Sequence, residues 1–324
     1  MLRICTLLLT AMLLSCAPAL AESMLLKLGH IAEPDNNYGQ AAERYAQLVR
    51  ERSGGSLIIE VYPSSKLGDQ RELLENVSVG MVDMTLTSTA VLGNFAPEMA
   101  VFDLPFLFRD VPHAYKALDT VGMELCRKAE SRGMITLAIW ENGIRHMTNN
   151  ERPIRKPEDM RGLQFRVMEQ PVYIALMRSL GAKPSPMGMS ELYGALEKGL
   201  VTGQDNSLSH IATKHLYKVQ KYLSLTGHTY APEPLIVSTA TWARLTPQQQ
   251  EILRTTAVEV RDWQRDLSRR LEAEYLDTIV KSGLCAVNDD VDKEAFAAAT
   301  RAVWHDIYIR RFGEETIKRI QNIQ

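Results

Sequence analysis

Strand-like and helix-like segments alternate almost from end to end of this 324-residue chain, and the alternation starts twice. A strand is expected over 25–31. The helix after it carries Tyr38, Ala42, Tyr45 and Val49 at helical spacing and stops at Ser53-Gly54-Gly55. A β-branched strand over 57–62 is closed by Pro63. A helix over 70–79, a strand over 81–87, an apolar stretch over 101–108, a helix over 111–131 and a strand over 134–140 complete the first run. After Arg152-Pro153-Ile154-Arg155-Lys156-Pro157 the pattern begins again, with a strand over 163–168, helices over 172–179 and 190–198, and a strand over 200–205. Such alternation builds a mostly parallel sheet covered by helices, an α/β fold.

The second run echoes the first. Glu72-Leu73 precedes Gly80-Met81-Val82-Asp83, and Glu191-Leu192 precedes Gly199-Leu200-Val201-Thr202 at the same interval. Each unit is an amphipathic helix, a glycine suited to ending it left-handed, and an apolar strand. Two similar domains facing one another would give this echo, and so would two ordinary helix-to-strand units. A long helix begins at Thr246-Pro247, an N-cap followed by proline in the first turn, and keeps its apolar spacing through Ile252, Val260, Trp263, Leu267, Leu271 and Tyr275 to Ser282-Gly283. At 1.5 Å per residue it reaches roughly 50 Å, more than one small domain needs. It is either a spine across two domains or a surface helix broken near its middle.

The N-terminus bounds the compartment. Arg3, a short apolar run over 4–14 and Ala19-Leu20-Ala21 form a signal peptide, 1–21, cleaved after Ala21. The run is shorter than the roughly 20 apolar residues a spanning helix needs. Leu13-Leu14-Ser15-Cys16 leaves a lipoprotein tethered at Cys16 as an alternative. A periplasmic location follows in either case. With 37 basic and 39 acidic residues and a formal charge of −2, there is no electrostatic case for nucleic acid. Beyond the signal region only Cys126 and Cys285 remain, expected as two unpaired thiols, and no metal-site spacing occurs. No cofactor is expected.

Ligands of open α/β sheets collect at the carboxyl ends of strands. There the chain places Glu141, Asn142 and Arg145, then Gln204, Asp205 and Asn206, and Thr87, Ser88 and Thr89 in the echoed position. Arg166 is the most telling, a cation amid Leu163, Phe165, Val167 and Met168. A charge on a covered strand needs a partner, solvent or a ligand, and guanidinium meets carboxylate in two parallel hydrogen bonds.

Ordered motifs add a resemblance. They include Arg161-Gly162-Leu163-Gln164-Phe165-Arg166-Val167, Pro184-Ser185-Pro186-Met187, Glu191-Leu192-Tyr193-Gly194-Ala195-Leu196 and Gly203-Gln204-Asp205-Asn206. Lys221-Tyr222-Leu223-Ser224-Leu225-Thr226-Gly227-His228 follows, and the first half supplies Tyr62-Pro63, Leu67-Gly68 and Leu104-Pro105-Phe106. Through these the mature chain resembles the DctP-type solute-binding proteins of TRAP transporters, the tripartite ATP-independent periplasmic carriers. The resemblance implies a two-domain, periplasmic-binding-protein-like receptor of the Venus-flytrap kind, with a cleft, strands linking the domains and a long helix spanning both. Domain I would take 22–143 with about 232–265, and domain II 144–231 with about 266–324. It further implies that Arg166 salt-bridges a ligand carboxylate, with Arg145 and Asn206 completing the site, and that a monomer delivers a small organic acid to the membrane subunits of a TRAP permease.

The pattern has departures. Gln-Asp-Asn replaces the family's usual Gln-Glu-Asn, Met189 stands where many relatives have an aromatic, and Ser88 stands where sialic-acid-binding relatives have an acid. The far end of the ligand would be read by His30, Asn37, Gln70, Ser88 and Glu141. The absence of a strong second cation among them favours a monocarboxylate or hydroxy acid over a compact dicarboxylate. The rival readings are a binding protein for an ABC importer, a receptor feeding a periplasmic sensor kinase, and a secreted enzyme. No Gly-x-Ser-x-Gly elbow, His-Glu-x-x-His or phosphate loop supports the enzyme, so none is expected.

Overall fold

The computed structural model describes residues 23–324; the expected cleavage site after Ala21 and Cys16 lie outside the described residues. One nine-stranded sheet organises them. Its strands are β1 (Met24–Gly29), β2 (Leu57–Tyr62), β3 (Met84–Leu86), β4 (Met134–Asn149), β5 (Gln164–Val167), β6 (Lys183–Pro186), β7 (Gly203–Ser207), β8 (Tyr222–Ser238) and β9 (Ala286–Asn288). The order is β2-β1-β3-β8-β4-β7-β5-β6, with β9 beside β8.

β1, β2 and β3 pair in parallel at one end, and β5, β6 and β7 pair in parallel at the other. Between them lie β4 and β8, 16 and 17 residues long and antiparallel to each other. β8 pairs with β3, and β4 pairs with β7, both antiparallel. The expectation of a mostly parallel sheet therefore fails at the centre, where two long strands run from one half of the molecule into the other. The register of β4 on β8 shifts between Glu141 and Gly143, and Gly143 has φ of 136°, a conformation that L side chains rarely adopt.

The echoed helices end as the sequence requires, but their strands start later. After Gln70–Ser78, Gly80 is left-handed and the Met81 N–H bonds the Asn76 carbonyl. After Met189–Glu197, Gly199 is left-handed and the Leu200 N–H bonds the Ala195 carbonyl. Both are Schellman closures. The closure occupies the first residues of each expected strand, so β3 begins at Met84 and β7 at Gly203, leaving Met81 and Leu200 exposed. The helix expected over 111–131 is broken by a π-helical segment, Leu118–Gly122, and finishes in a 3₁₀ segment, Arg127–Arg132.

The long helix is unbroken, Pro247–Ser282, with Thr246 and Gln249 forming a capping box and left-handed Gly283 ending it. Its first half buries Leu253, Ala257 and Val260 with Leu26, Tyr45 and Trp140. Its last turns bury Tyr275 and Ile279 with Leu208, Ile211 and Leu223. It therefore packs on both halves. Part of the C-terminal segment expected in domain II packs against the first half. The C-terminal residues Trp304, Tyr308, Ile317 and Ile320 join Phe102, Leu118 and Val121 of the first half in one apolar cluster, and the Trp304 ring N–H donates to the Pro105 carbonyl at 2.9 Å. Cys126 and Cys285 are buried free thiols, and no helix among the described residues is long and apolar enough to cross a membrane.

Candidate ligand-binding site

The carboxyl ends of β5 and β7 and the register shift of β4 converge on a cleft of about 450 Å³, part of it open to solvent. Arg166 enters from β5, where strand alternation sends Phe165 and Val167 into the apolar core and Arg166 to the other face. Ser185 of β6 and Gln204 of β7 flank it. Arg166 is 2% exposed; Nε donates to the Met187 carbonyl at 3.0 Å, and Nη1 has no hydrogen-bond partner. Burial, then the neighbouring Arg145, push its pKa down to about 10. The fold thus holds a guanidinium with no carboxylate on it, which is costly unless an anion arrives.

Arg145 lies beside it and is already paired. Its Nε is 2.6 Å from Asp205 Oδ2, Nη2 donates to the Asp205 carbonyl at 2.5 Å, and Nη1 to Asn206 Oδ1 at 3.3 Å. The guanidinium also lies over the Tyr173 ring, 5.3 Å from its centre. Burial opposes its charge most, but Asp205, Tyr173 and Asp103 together raise its pKa. Burial likewise opposes the charge of Asp205, and Arg145 and His228 overcome it to hold the carboxyl below its ordinary range. His228 Nε2 lies 3.4 Å from the same oxygen.

Around this cationic end the wall is neutral and polar. Asn142 lines the cleft, donates to Glu233 Oε2 at 3.2 Å and accepts from the Ser207 hydroxyl at 2.6 Å. Gln70 lines it too, donating to Glu233 Oε1 at 3.4 Å and accepting from Ser88 at 2.9 Å. His210 faces the cavity with Nε2 3.1 Å from the Tyr38 hydroxyl and Nδ1 without a partner. Burial holds its pKa well below the ordinary value, so it presents a neutral ring. Met168, Met187 and Met189 supply the apolar wall, and Asp69 and Glu169 lie at the rim.

Of the residues anticipated from sequence, Arg166, Arg145, Asn206, Met189 and Gln70 meet at this cleft. Ser88 sits one step behind it, capping the short helix Thr89–Leu92 and holding Gln70. His30 is buried edge-on to Tyr38 at 5.8 Å, away from the cavity lining, with both ring nitrogens unpartnered and its pKa lowered to about 4 by burial and Lys214. Glu141 and Asn37 do not reach the cleft. Glu141 pairs with Arg269 of the long helix and with the Tyr115 hydroxyl. Asn37 donates to the Glu141 and Asn142 carbonyls at 3.2 and 3.1 Å, satisfying backbone freed by the register shift. Glu141 follows the end of the expected strand, but β4 continues past that point, and Asn37 opens the helix Asn37–Arg52. His210, Asp69 and Glu233 were missed. His210 follows β7 directly and was open to the same strand-end rule; Glu233 sits between two prolines that hide its strand.

Known proteins share this architecture. The family model for bacterial extracellular solute-binding proteins, family 7, matches residues 28–311. The 2,3-diketo-L-gulonate-binding periplasmic protein YiaO of Escherichia coli is 32% identical over 302 residues, 92% of each chain. A TRAP periplasmic solute-binding protein from Polaromonas sp. JS666, solved bound to D-erythronate, is 37% identical with a TM-score of 0.90, covering 93% of this chain and 99% of that one. Another from Sulfurospirillum deleyianum, solved with succinate, is 30% identical with a TM-score of 0.89, covering 94% and 100%. The chain belongs to the bacterial extracellular solute-binding protein family 7, whose members are transport receptors for organic acids and not enzymes.

Proposed function

We propose that this protein captures a small hydroxylated monocarboxylate in the cleft, with the ligand carboxylate salt-bridged to Arg166, and hands it to the membrane subunits of a TRAP permease. One observation carries the reading: Arg166 is buried with Nη1 unpartnered while its neighbour Arg145 is already neutralised by Asp205. An incoming carboxylate therefore meets one uncompensated cation. Arg145 and Asn206 lie close enough to complete its hydrogen bonds from the same end. Beyond them stand neutral donors and acceptors, Gln70, Asn142 and His210, which suit hydroxyls, and at the rim Asp69 and Glu169, which disfavour a second carboxylate. The related receptors solved with D-erythronate and with succinate bracket this choice.

Closure follows from differential contact, since the ligand favours the state in which both halves touch it. The bodies that close are proposed as 23–143 with about 232–265 and the C-terminal segment, against 144–231 with the remainder of the long helix. Calorimetry of the mature protein with D-erythronate, D-galacturonate and succinate tests the reading. A hydroxy monoacid is expected to bind more tightly than succinate, and Arg166→Ala to weaken it by about 2–5 kcal/mol, as for removal of half a buried charge pair. Unchanged affinity in Arg166→Ala would sink it.

A further inference from the structure

Asp69 caps two helices at once, one on each side of the cleft. It is the N-cap of Gln70–Ser78, where Oδ1 accepts the Gln70 N–H at 2.8 Å and Glu72 bonds back to the Asp69 N–H at 3.0 Å. Its other oxygen turns away from that helix. Oδ2 accepts the Ser190 N–H at 3.0 Å and the Ser190 hydroxyl at 3.1 Å, across a sequence separation of 121 residues. Ser190 is the second residue of Met189–Glu197, whose own N-cap position is Gly188 and makes no side-chain cap. The opposite half of the molecule therefore supplies the carboxylate that this helix lacks. A helix N-terminus welcomes an anion there, because its first N–H groups have no partner within the helix.

Gly188 makes the approach possible: a Cβ at that position would lie 2.4 Å from Asp69 Oδ2. The segment so held is a wall of the ligand cavity, which Met187, Gly188 and Met189 line. Arg166 grips its other end through the Met187 carbonyl at 3.0 Å. The wall is thus fixed from within its own half by the arginine and from the facing half by Asp69. We propose that Asp69 is a positioning residue for ligand retention, a cap made across the cleft that holds Met187–Ser190 against a bound acid. This rests on the reading of the cleft as an acid-binding site. The bond needs both halves together, so it slows release without guiding entry.

Two variants separate this role from plain helix capping. Asp69→Asn keeps an oxygen for its own helix, since Asn caps as well as Asp, but turns an amide N–H₂ toward the Ser190 N–H. Gly188→Ala leaves Asp69 intact and drives its oxygen off Ser190. Stopped-flow dissociation of D-erythronate, D-galacturonate or succinate from the full mature chain is expected to quicken about tenfold in both variants, the scale of one hydrogen bond to a charged group. Release is expected to change by a larger factor than association, and the melting temperature of the ligand-free protein to change less than that of the liganded one. Unchanged release in both variants overturns the proposal. So does a ligand-free melting temperature that falls as far as the liganded one, which would make Asp69 merely structural. Failure of the wild type to bind any of the three acids defeats the acid-binding reading itself, whereas tight binding with unaltered release defeats only the role of Asp69.

Discussion

The Arg145 guanidinium meets Asp205 edge-on, with Nε 2.6 Å from the carboxylate and Nη2 2.5 Å from the backbone carbonyl of the same residue. Both side chains are essentially fully buried, and Asp205 Oδ1 has no further partner. Removing one member strands the other in a low-dielectric interior. Asp205→Ala is expected to lower unfolding free energy by about 3–5 kcal/mol, measured by urea denaturation of the ligand-free protein. The pH dependence has a definite sign. The folded-state pKa of Asp205 lies below its unfolded value of 3.8, so its contribution is present above that value and disappears as pH falls below it. Asp205→Asn is therefore expected to flatten the acid limb of the stability curve below pH of about 4.

Arg166 presents the opposite case, a buried charge without a protein carboxylate. Sites built for a charged ligand are held against the stability of the empty protein. Arg166→Met, close in length and apolar, is expected to raise the ligand-free unfolding free energy by about 1–2 kcal/mol while abolishing acid binding. Calorimetric melting with and without D-erythronate measures both effects. A less stable Arg166→Met protein would show that its hydrogen bond to Met187 matters more than its desolvation.

Glu141 separates strand-end position from ligand contact. Its carboxylate is fully buried against Arg269 and Tyr115 beside the register shift of β4, outside the cavity lining. Glu141→Gln is expected to destabilise the fold by about 2–3 kcal/mol, in the range for weakening a charged hydrogen bond. The affinity for D-erythronate is expected to hold. Chemical denaturation alongside calorimetry decides, and a loss of affinity larger than the loss of stability would return Glu141 to the site.

These cases show which physical signals a sequence carries. The long helix was legible to the residue because its boundaries are local: Thr246 and Gln249 close a capping box and Gly283 ends it. The cationic end of the cleft was legible because an arginine between Phe165 and Val167 breaks the pattern of a covered strand. β8 was not, because Gly227, Pro232 and Pro234 interrupt it. Proline lacks the N–H a ladder needs and is read as a strand breaker, yet Pro232 and Pro234 sit opposite Glu141 and Ile139 in the middle of the sheet. β6 was hidden in the same way by Pro184 and Pro186, which an edge strand tolerates. Asp69 reads locally as an ordinary N-cap; its second bond, to Ser190, exists only once distant segments meet.

Glu233, carried on that hidden strand, gives the clearest pH signature. It is fully buried with Gln70 and Asn142 as its hydrogen-bond donors, and burial raises its pKa from 4.5 to about 8, against the opposing pull of Asn142 and Arg145. Below 4.5 the carboxyl is protonated in both folded and unfolded chains. Between 4.5 and about 8 the folded chain keeps a proton that the unfolded chain has released, so stability falls as pH rises through that window. The slope approaches about 1.4 kcal/mol per pH unit for one proton. His30, lowered to about 4, acts with the opposite sign and only below its unfolded value of 6.5. Asp103, raised to about 7 by burial, acts with the same sign as Glu233 and fades above that pH. His146 and His210, lowered by burial, act with the sign of His30. The difference between the wild type and Glu233→Gln therefore isolates Glu233. Between pH 7 and 8 the melting temperature is expected to fall more steeply with pH, or rise less, in the wild type than in Glu233→Gln. An amide facing the Gln70 and Asn142 donors shifts the variant's stability by an amount that does not vary with pH. Parallel slopes in the two proteins would mean that Glu233 is ionised in the folded state, and that the polar wall beside Arg166 carries a negative charge.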